Sequence, residues 1–283
     1  MRNYFLKSFL FAVVAGIAFV GCKKEVPLDT DLSVALDNGI AEGSFQEILA
    51  IVSQQAVMNG LTGYTSTLYG KIAEDCPTVT LSEAIGTFPN TMTIDFGDEC
   101  TSYLGLKRSG KIFAHFTGFY KDEATIITVT TEDYFVNDNK VEGTKYVTNE
   151  GVNDAGNIYF TIYVADGVIT LATGEIITWT SSRTREWIEG SESFEIEDDV
   201  YSISNGPFAE HSASGINRNG TPFTVDISTP LVKRMDCDWL TQGVIEITPE
   251  GFTTRVIDFG GGVCDNEATL SIGEFVTYFT LPY

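Results

Sequence analysis

The segment Trp179-Thr180-Ser181-Ser182-Arg183-Thr184-Arg185-Glu186-Trp187 holds the most pointed chemistry in the chain. Side chains alternate along an extended strand, so Trp179, Ser181, Arg183, Arg185 and Trp187 share one face. Two indoles flanking two guanidiniums could stack on a sugar ring or clamp a carboxylate or phosphate. Trp179, Arg183, Arg185 and Trp187 are therefore a candidate ligand surface. The competing reading is a ladder in which the arginines pair with acids on neighbouring strands and cover the indoles. Acids are plentiful, with 39 Asp+Glu against 17 Lys+Arg and a net charge of −22. That excess argues against a nucleic-acid partner, which needs a basic patch to neutralise its phosphates.

Other reactive sets are thin. The sequence has no Gly-x-Ser-x-Gly elbow, no His-Glu-x-x-His pair, no P-loop and no dinucleotide fingerprint. His115 alternates with Phe113, Thr117 and Phe119 and reads as a packed or pairing strand residue. His211 has Ser212 and Ser214 nearby, and reads as part of a strand or loop. Asp95 and Asp258 each precede Phe-Gly in a repeated segment, where a carboxylate most often accepts backbone hydrogen bonds in a turn. Among so many acids a pair spaced for glycoside hydrolysis is always available, so abundance alone says nothing. Glu195, Glu197, Asp198 and Asp199 offer the hard oxygens that calcium takes. No calcium-loop motif surrounds them, so a solvated acidic edge is expected, with no metal and no cofactor.

The leader is clearer. Arg2 and Lys7 precede an apolar run from Phe9 to Val20, broken only by Gly16. That run is too short to span a bilayer and has the length of a signal-peptide core. It ends at Phe19-Val20-Gly21-Cys22, which resembles a bacterial lipobox, with Phe19 where Leu is commonest. The resemblance implies a lipoprotein signal peptide over residues 1–21 and acylation, palmitate included, at Cys22. The mature chain would then be held to a membrane by its acyl chains without spanning it. Cys22 is not followed by Asp, the residue linked with inner-membrane retention, so the outer membrane is the expected location. Its periplasmic or cell-surface face stays open.

Cys76, Cys100, Cys237 and Cys264 read as disulfides in an exported, oxidising compartment. Four cysteines allow three connectivities, and an internal repeat chooses among them. Ile94-Asp95-Phe96-Gly97 runs to Cys100, and Ile257-Asp258-Phe259-Gly260 runs to Cys264. Cys76 and Cys237 lie upstream of the two copies, with two short β-like runs between each pair. A hairpin with cysteines at its open end joins Cys76 to Cys100 and Cys237 to Cys264. Bridges crossing between the repeats, such as Cys100 to Cys264, are the alternative.

The elements that must position all this are mostly strands. Ser44-Phe45-Gln46-Glu47 reads as a capping box opening a helix over residues 45–58, with Asn59-Gly60 as its stop. Residues 22–43 read as a tether, with a weaker helix available from Leu28 to Ile40. From Thr78 onward, short runs rich in Thr, Ile, Val and Tyr alternate with Gly, Asn and Asp. Lys111–Tyr120, Thr125–Val136 and Lys140–Thr148 are successive strands, the last two joined at Asn137-Asp138-Asn139. Asp166-Gly167 reads as a hairpin turn between Asn157–Val164 and Val168–Leu171. The expected fold is all-β: one antiparallel meander of about twelve to fifteen strands over residues 44–283, sandwich or barrel-like, with a short N-terminal helical segment.

The lipid cysteine, the paired Asp-Phe-Gly…Cys segments and the strand from Asn137 to Gly143-Thr144 together resemble outer-membrane lipoproteins of the Bacteroidetes kind. The resemblance implies location and fold and brings no catalytic or binding residue. The functional expectation is a lipid-anchored envelope protein acting as a non-enzymatic binding module or accessory subunit of an outer-membrane assembly. Its partners would be the membrane and either an outer-membrane protein or a glycan. A carbohydrate-active enzyme or glycan-binding protein is the alternative, and an envelope lipid carrier, which needs a large apolar cavity, stands third.

Overall fold

A computed structural model of the chain describes residues 29–62, 76–101, 105–193 and 195–280. The leader and Cys22 lie outside these residues. Among the described residues one helix, α1 (Ser33–Met58), precedes fifteen strands. They are β1 (Thr78–Leu81), β2 (Asn90–Asp95), β3 (Cys100–Thr101), β4 (Lys107–Phe116), β5 (Ile126–Val136), β6 (Asn139–Val152), β7 (Ile158–Thr170) and β8 (Ile176–Glu189). There follow β9 (Val200–Asn205), β10 (Ala213–Ile216), β11 (Pro222–Arg234), β12 (Leu240–Pro249), β13 (Arg255–Gly261), β14 (Glu267–Ile272) and β15 (Phe275–Thr280).

All fifteen strands form one antiparallel sheet that follows chain order almost throughout. The expected meander is therefore present, as a single sheet rather than two packed ones. Its long central strand β8 pairs with β7 on one side and with two short strands on the other. β10 takes the Thr178–Ser181 half and β9 the Arg183–Glu189 half. β11 is divided between the same two strands. The chain between β9 and β10 must leave the sheet plane, and Gly206 N–H to Ser182 O (3.0 Å) with Ser182 N–H to Ser212 O (2.9 Å) pins its two ends.

A single helix touches β2, β4, β8 and β12, so the sheet curves around it. Bulges supply the curvature. At Asp166-Gly167 the register of β6 with β7 and of β7 with β8 shifts, and Asp166 has a φ of 52°. This corrects the hairpin expected there: β7 runs straight through, and the two residues kink it. The reason lies across the sheet. A Cβ on Gly167 would meet Trp179 O at 2.5 Å and the Phe45 ring at 3.0 Å, and one on Gly143 would meet the same ring at 3.1 Å. Two glycines thus open the sheet to admit a helix side chain. The turn at Asn137-Asp138, by contrast, is a hairpin as expected, with φ of 47° and 66°.

The helix itself departs from expectation. It begins at Ser33, well before residue 45, and Ser44 is internal, its Oγ donating to Ile40 O at 2.8 Å rather than capping. Gly39, Gly43 and Asn38 are poor helix formers, so the first half holds its shape through enclosure and not propensity. Val34, Ala35, Ala41, Phe45, Ile48, Leu49, Val52 and Ala56 are all buried in the core. The stop is as expected: Asn59 N–H and Nδ2 both reach Gln55 O, and Gly60 adopts a φ of 72°.

Both disulfides match the repeat. Cys76–Cys100 and Cys237–Cys264 form with Cα separations of 6.0 and 5.7 Å, at the mouths of the β1–β2 and β12–β13 hairpins.

Candidate functional site

Trp179, Arg183, Arg185 and Trp187 do share the face that alternation assigned them, and that face points inward at α1. Trp179 and Trp187 are each 2% exposed and Arg183 5%. The Trp179 ring stacks on Phe45 at 5.6 Å and 15°, and its Nε1–H donates to Asn38 Oδ1 at 3.0 Å. Arg183 donates to Glu42 Oε2 at 2.7 Å and to the carbonyl and hydroxyl of Ser212. Arg185 donates to the Tyr120 hydroxyl and lies 4.4 Å over the Tyr201 ring. Trp187 Nε1–H donates to Asp199 Oδ1 at 3.1 Å, under the Lys121 ammonium at 4.6 Å. This inner face of the strand is therefore packed in the core rather than offered to a ligand. Its indole and Arg183 donors are held by protein groups, whereas Arg185 Nε is buried without a hydrogen-bond partner among the described residues. The acid for Arg183 comes from the N-terminal helix instead of a neighbouring strand.

The same pattern recurs along the whole N-terminal segment. Residues 29–58 carry five acids and no Lys or Arg. Asp29 pairs with Arg255 at 2.9 Å, Asp37 with Arg218, Glu42 with Arg183 and Glu47 with Arg108. Lys145, buried, donates to Phe45 O at 2.9 Å. Burial pushes its ammonium down to about 7, against a partial pull upward from Glu42. Asp199 moves the other way, raised by burial to about 6 despite hydrogen bonds from Trp187 and Tyr201. Perturbed groups often mark active sites, but these two sit among structural partners.

The remaining candidates resolve individually. Asp95 Oδ1 accepts from Gly97 N–H at 2.9 Å and Asp258 Oδ1 from Gly260 N–H at 2.8 Å. Both copies make the expected turn. His115 is on the outer face, bonded to Thr91 Oγ1 at 3.0 Å. His211 Nδ1 faces Asp226 Oδ2 at 3.0 Å. The serines near it are engaged elsewhere, Ser212 by Arg183 and Ser214 Oγ by Thr180 Oγ1 at 3.1 Å. Of the acidic run, Asp199 is buried while Glu195, Glu197 and Asp198 are exposed. Among the described residues no group of three or more His, Cys, Asp or Glu is arranged to hold a metal, and no helix is long and apolar enough to cross a membrane.

Two clefts open on the outer face, which the sequence reading did not single out. The larger, about 700 Å³, crosses β7, β8, β10, β11 and β12. Registry aligns a row of hydroxyls there, Thr180–Ser214–Thr224–Thr248, with Asp166 and Glu250 at its ends. The smaller, about 560 Å³, lies between β6, β7, β8 and the loop after β9, with Glu150, Thr161 and Thr184 as floor and Tyr159 and Phe208 as walls. One signal was available in the sequence: Tyr159, Thr161 and Tyr163 alternate onto the face opposite Phe160 and Ile162. Phe208 carried none, because its position depends on where the loop crosses β8. Such an arrangement can bind a small polar ligand that has an apolar side.

Comparison with protein-family models finds no match, and neither do searches of curated proteins and of solved structures.

Proposed function

We propose that this chain is a lipid-anchored cell-envelope protein, a non-enzymatic binding module or accessory subunit of an outer-membrane assembly. The leader ending at Cys22 supports the anchor, and two disulfides suit an oxidising compartment. From Cys22 to Asp29 the chain spans at most ~25 Å when fully extended, so an acylated Cys22 would keep the body against the bilayer, within reach of a membrane partner.

The observation that carries the binding role is the contrast between the two faces of the sheet. On the inner face Trp179, Arg183 and Lys145 are taken up by α1, and Arg185 and Trp187 pack against Tyr120, Tyr201 and Asp199, whereas both clefts and the exposed rings of Tyr146 and Phe208 face outward. The same contrast favours a glycan over a lipid cargo, because α1 fills the concave side that a carrier would keep open.

The test is gentle detergent extraction of the native lipoprotein, affinity purification and mass spectrometry. A stoichiometric membrane protein recovered with it is the expected outcome for an accessory subunit. Recovery of the chain alone, even after crosslinking in intact membranes, would overturn that role.

A further inference from the structure

We infer that the smaller outer cleft is a saccharide site, which takes a neutral glycan chain between Tyr159 and Phe208. The inference rests on the binding-module reading and names its ligand.

The floor is a polar row fixed by strand register. Thr161 on β7 stands opposite Thr184 on β8, and Thr161 Oγ1 donates to Glu150 Oε1 on β6 at 2.6 Å. The second oxygen of Glu150 makes no hydrogen bond among the described residues and can accept from a hydroxyl. Tyr159, two residues before Thr161, stands on the same face beside Glu186. Glu186 is itself held by Asn153 and Asn157, each Nδ2 at 2.8 Å.

The opposite wall is Phe208, 57% exposed. Its backbone N–H donates to Ser182 Oγ at 3.0 Å, and its ring meets Tyr163 edge-on at 5.8 Å. Tyr163 stacks on Tyr146 at 6.4 Å and 22°, so the aromatic strip continues out of the cleft along β7 and β6. Three residues on, the His211–Asp226 pair ties the same loop to β11. The wall is therefore held in place before any ligand arrives, which lowers the ordering cost of binding.

A pyranose ring offers an apolar face of C–H groups and an edge of hydroxyls that both donate and accept. Aromatic walls suit the first, and a carboxylate with two threonine hydroxyls suits the second. The cleft lies inside the ~300–1,000 Å³ typical of small-ligand sites. No Lys or Arg lines it, while Glu150 lies within it. Charge thus selects against uronates, phosphates and nucleic acids, and leaves a neutral glycan as the occupant.

The experiment uses the full processed chain in detergent, titrated calorimetrically with cellohexaose, xylohexaose, mannohexaose and maltohexaose, and with a hexagalacturonate. Binding of at least one neutral oligomer is expected, weakened about tenfold or more by Phe208→Ala and by Tyr159→Ala, since each removes a stacking ring. Glu150→Gln, which preserves shape, should weaken it as well. Undiminished binding by both ring variants would overturn the site, and tighter binding of the galacturonate would overturn its neutral selectivity. Failure to bind any of the oligomers would overturn the saccharide inference, while the extraction experiment above still decides the module reading separately.

Discussion

Arg218 donates its backbone N–H at 2.8 Å and its Nε–H at 2.7 Å to the carboxylate of Asp37, whose side chain has no exposure to solvent. The acid sits in the first half of α1 and the arginine in the turn between β10 and β11. A helix of poor intrinsic propensity is thereby fixed to the far side of the sheet.

The two halves of that pair should not be equivalent. Arg218→Ala leaves a buried carboxylate without its guanidinium, held only by the backbone N–H of residue 218, and is expected to cost up to ~3 kcal/mol. Asp37→Ala leaves a guanidinium whose side chain is already 31% exposed and can turn to water, so its loss should be smaller. Urea unfolding of both variants checks the order. Equal or reversed losses would mean that the pair does not anchor α1.

Trp179 was a ligand residue in one sequence reading and is a core residue in the fold. Trp179→Ala should cost ~3–5 kcal/mol, the range for truncating a buried aromatic. Phe208→Ala, on the exposed wall, should stay within about 0.5 kcal/mol. A Trp179 variant as stable as the parent would return that side chain to the surface.

The two disulfides close loops of 24 and 27 residues. Loop-closure entropy varies slowly with length, so each Cys→Ser pair should lose about 2–5 kcal/mol and the two losses should nearly agree. Non-reducing peptide mapping supplies the connectivity. Any peptide linking Cys76 to Cys237 or Cys264 would contradict the hairpin repeat.

Lys145 predicts a pH dependence. Its folded-state pKa is lowered from 10.5 to about 7, so between these values the unfolded chain binds more protons than the folded one. Stability should therefore rise with pH from about 7 toward 10, and the penalty is fully present below 7. Asp199 has the opposite slope at lower pH. Raised from 3.8 to about 6, it makes stability fall as pH climbs through that interval. Lys145→Met should remove the alkaline rise and leave the acid limb unchanged. Thermal melts of both proteins from pH 5 to 10 make the comparison, and an alkaline rise that persists in the variant would show that another group produces it.

Much of this was legible in the chain. Alternation placed the strands, Asn137-Asp138 placed a turn, and the two Ile-Asp-Phe-Gly segments paired the cysteines correctly. All depend on contacts close in sequence, where φ/ψ preference and short loops decide the outcome. Alternation also put Trp179, Arg183, Arg185 and Trp187 on one face. Which way that face points is a different question, because period-two patterning distinguishes two sides without saying which is covered. Asp37, Asn38 and Glu42 look like solvated linker composition until Arg218, Trp179 and Arg183 meet them. The start of α1 was hidden for this reason: its polar residues face partners more than 140 positions away. Gly167, read as a turn, is a kink that lets Phe45 in, and the Tyr159–Phe208 cleft exists only because a loop crosses β8. Local pattern determined the strands, hairpins and bridges. Long-range packing alone decided what the sheet encloses and which face it leaves open.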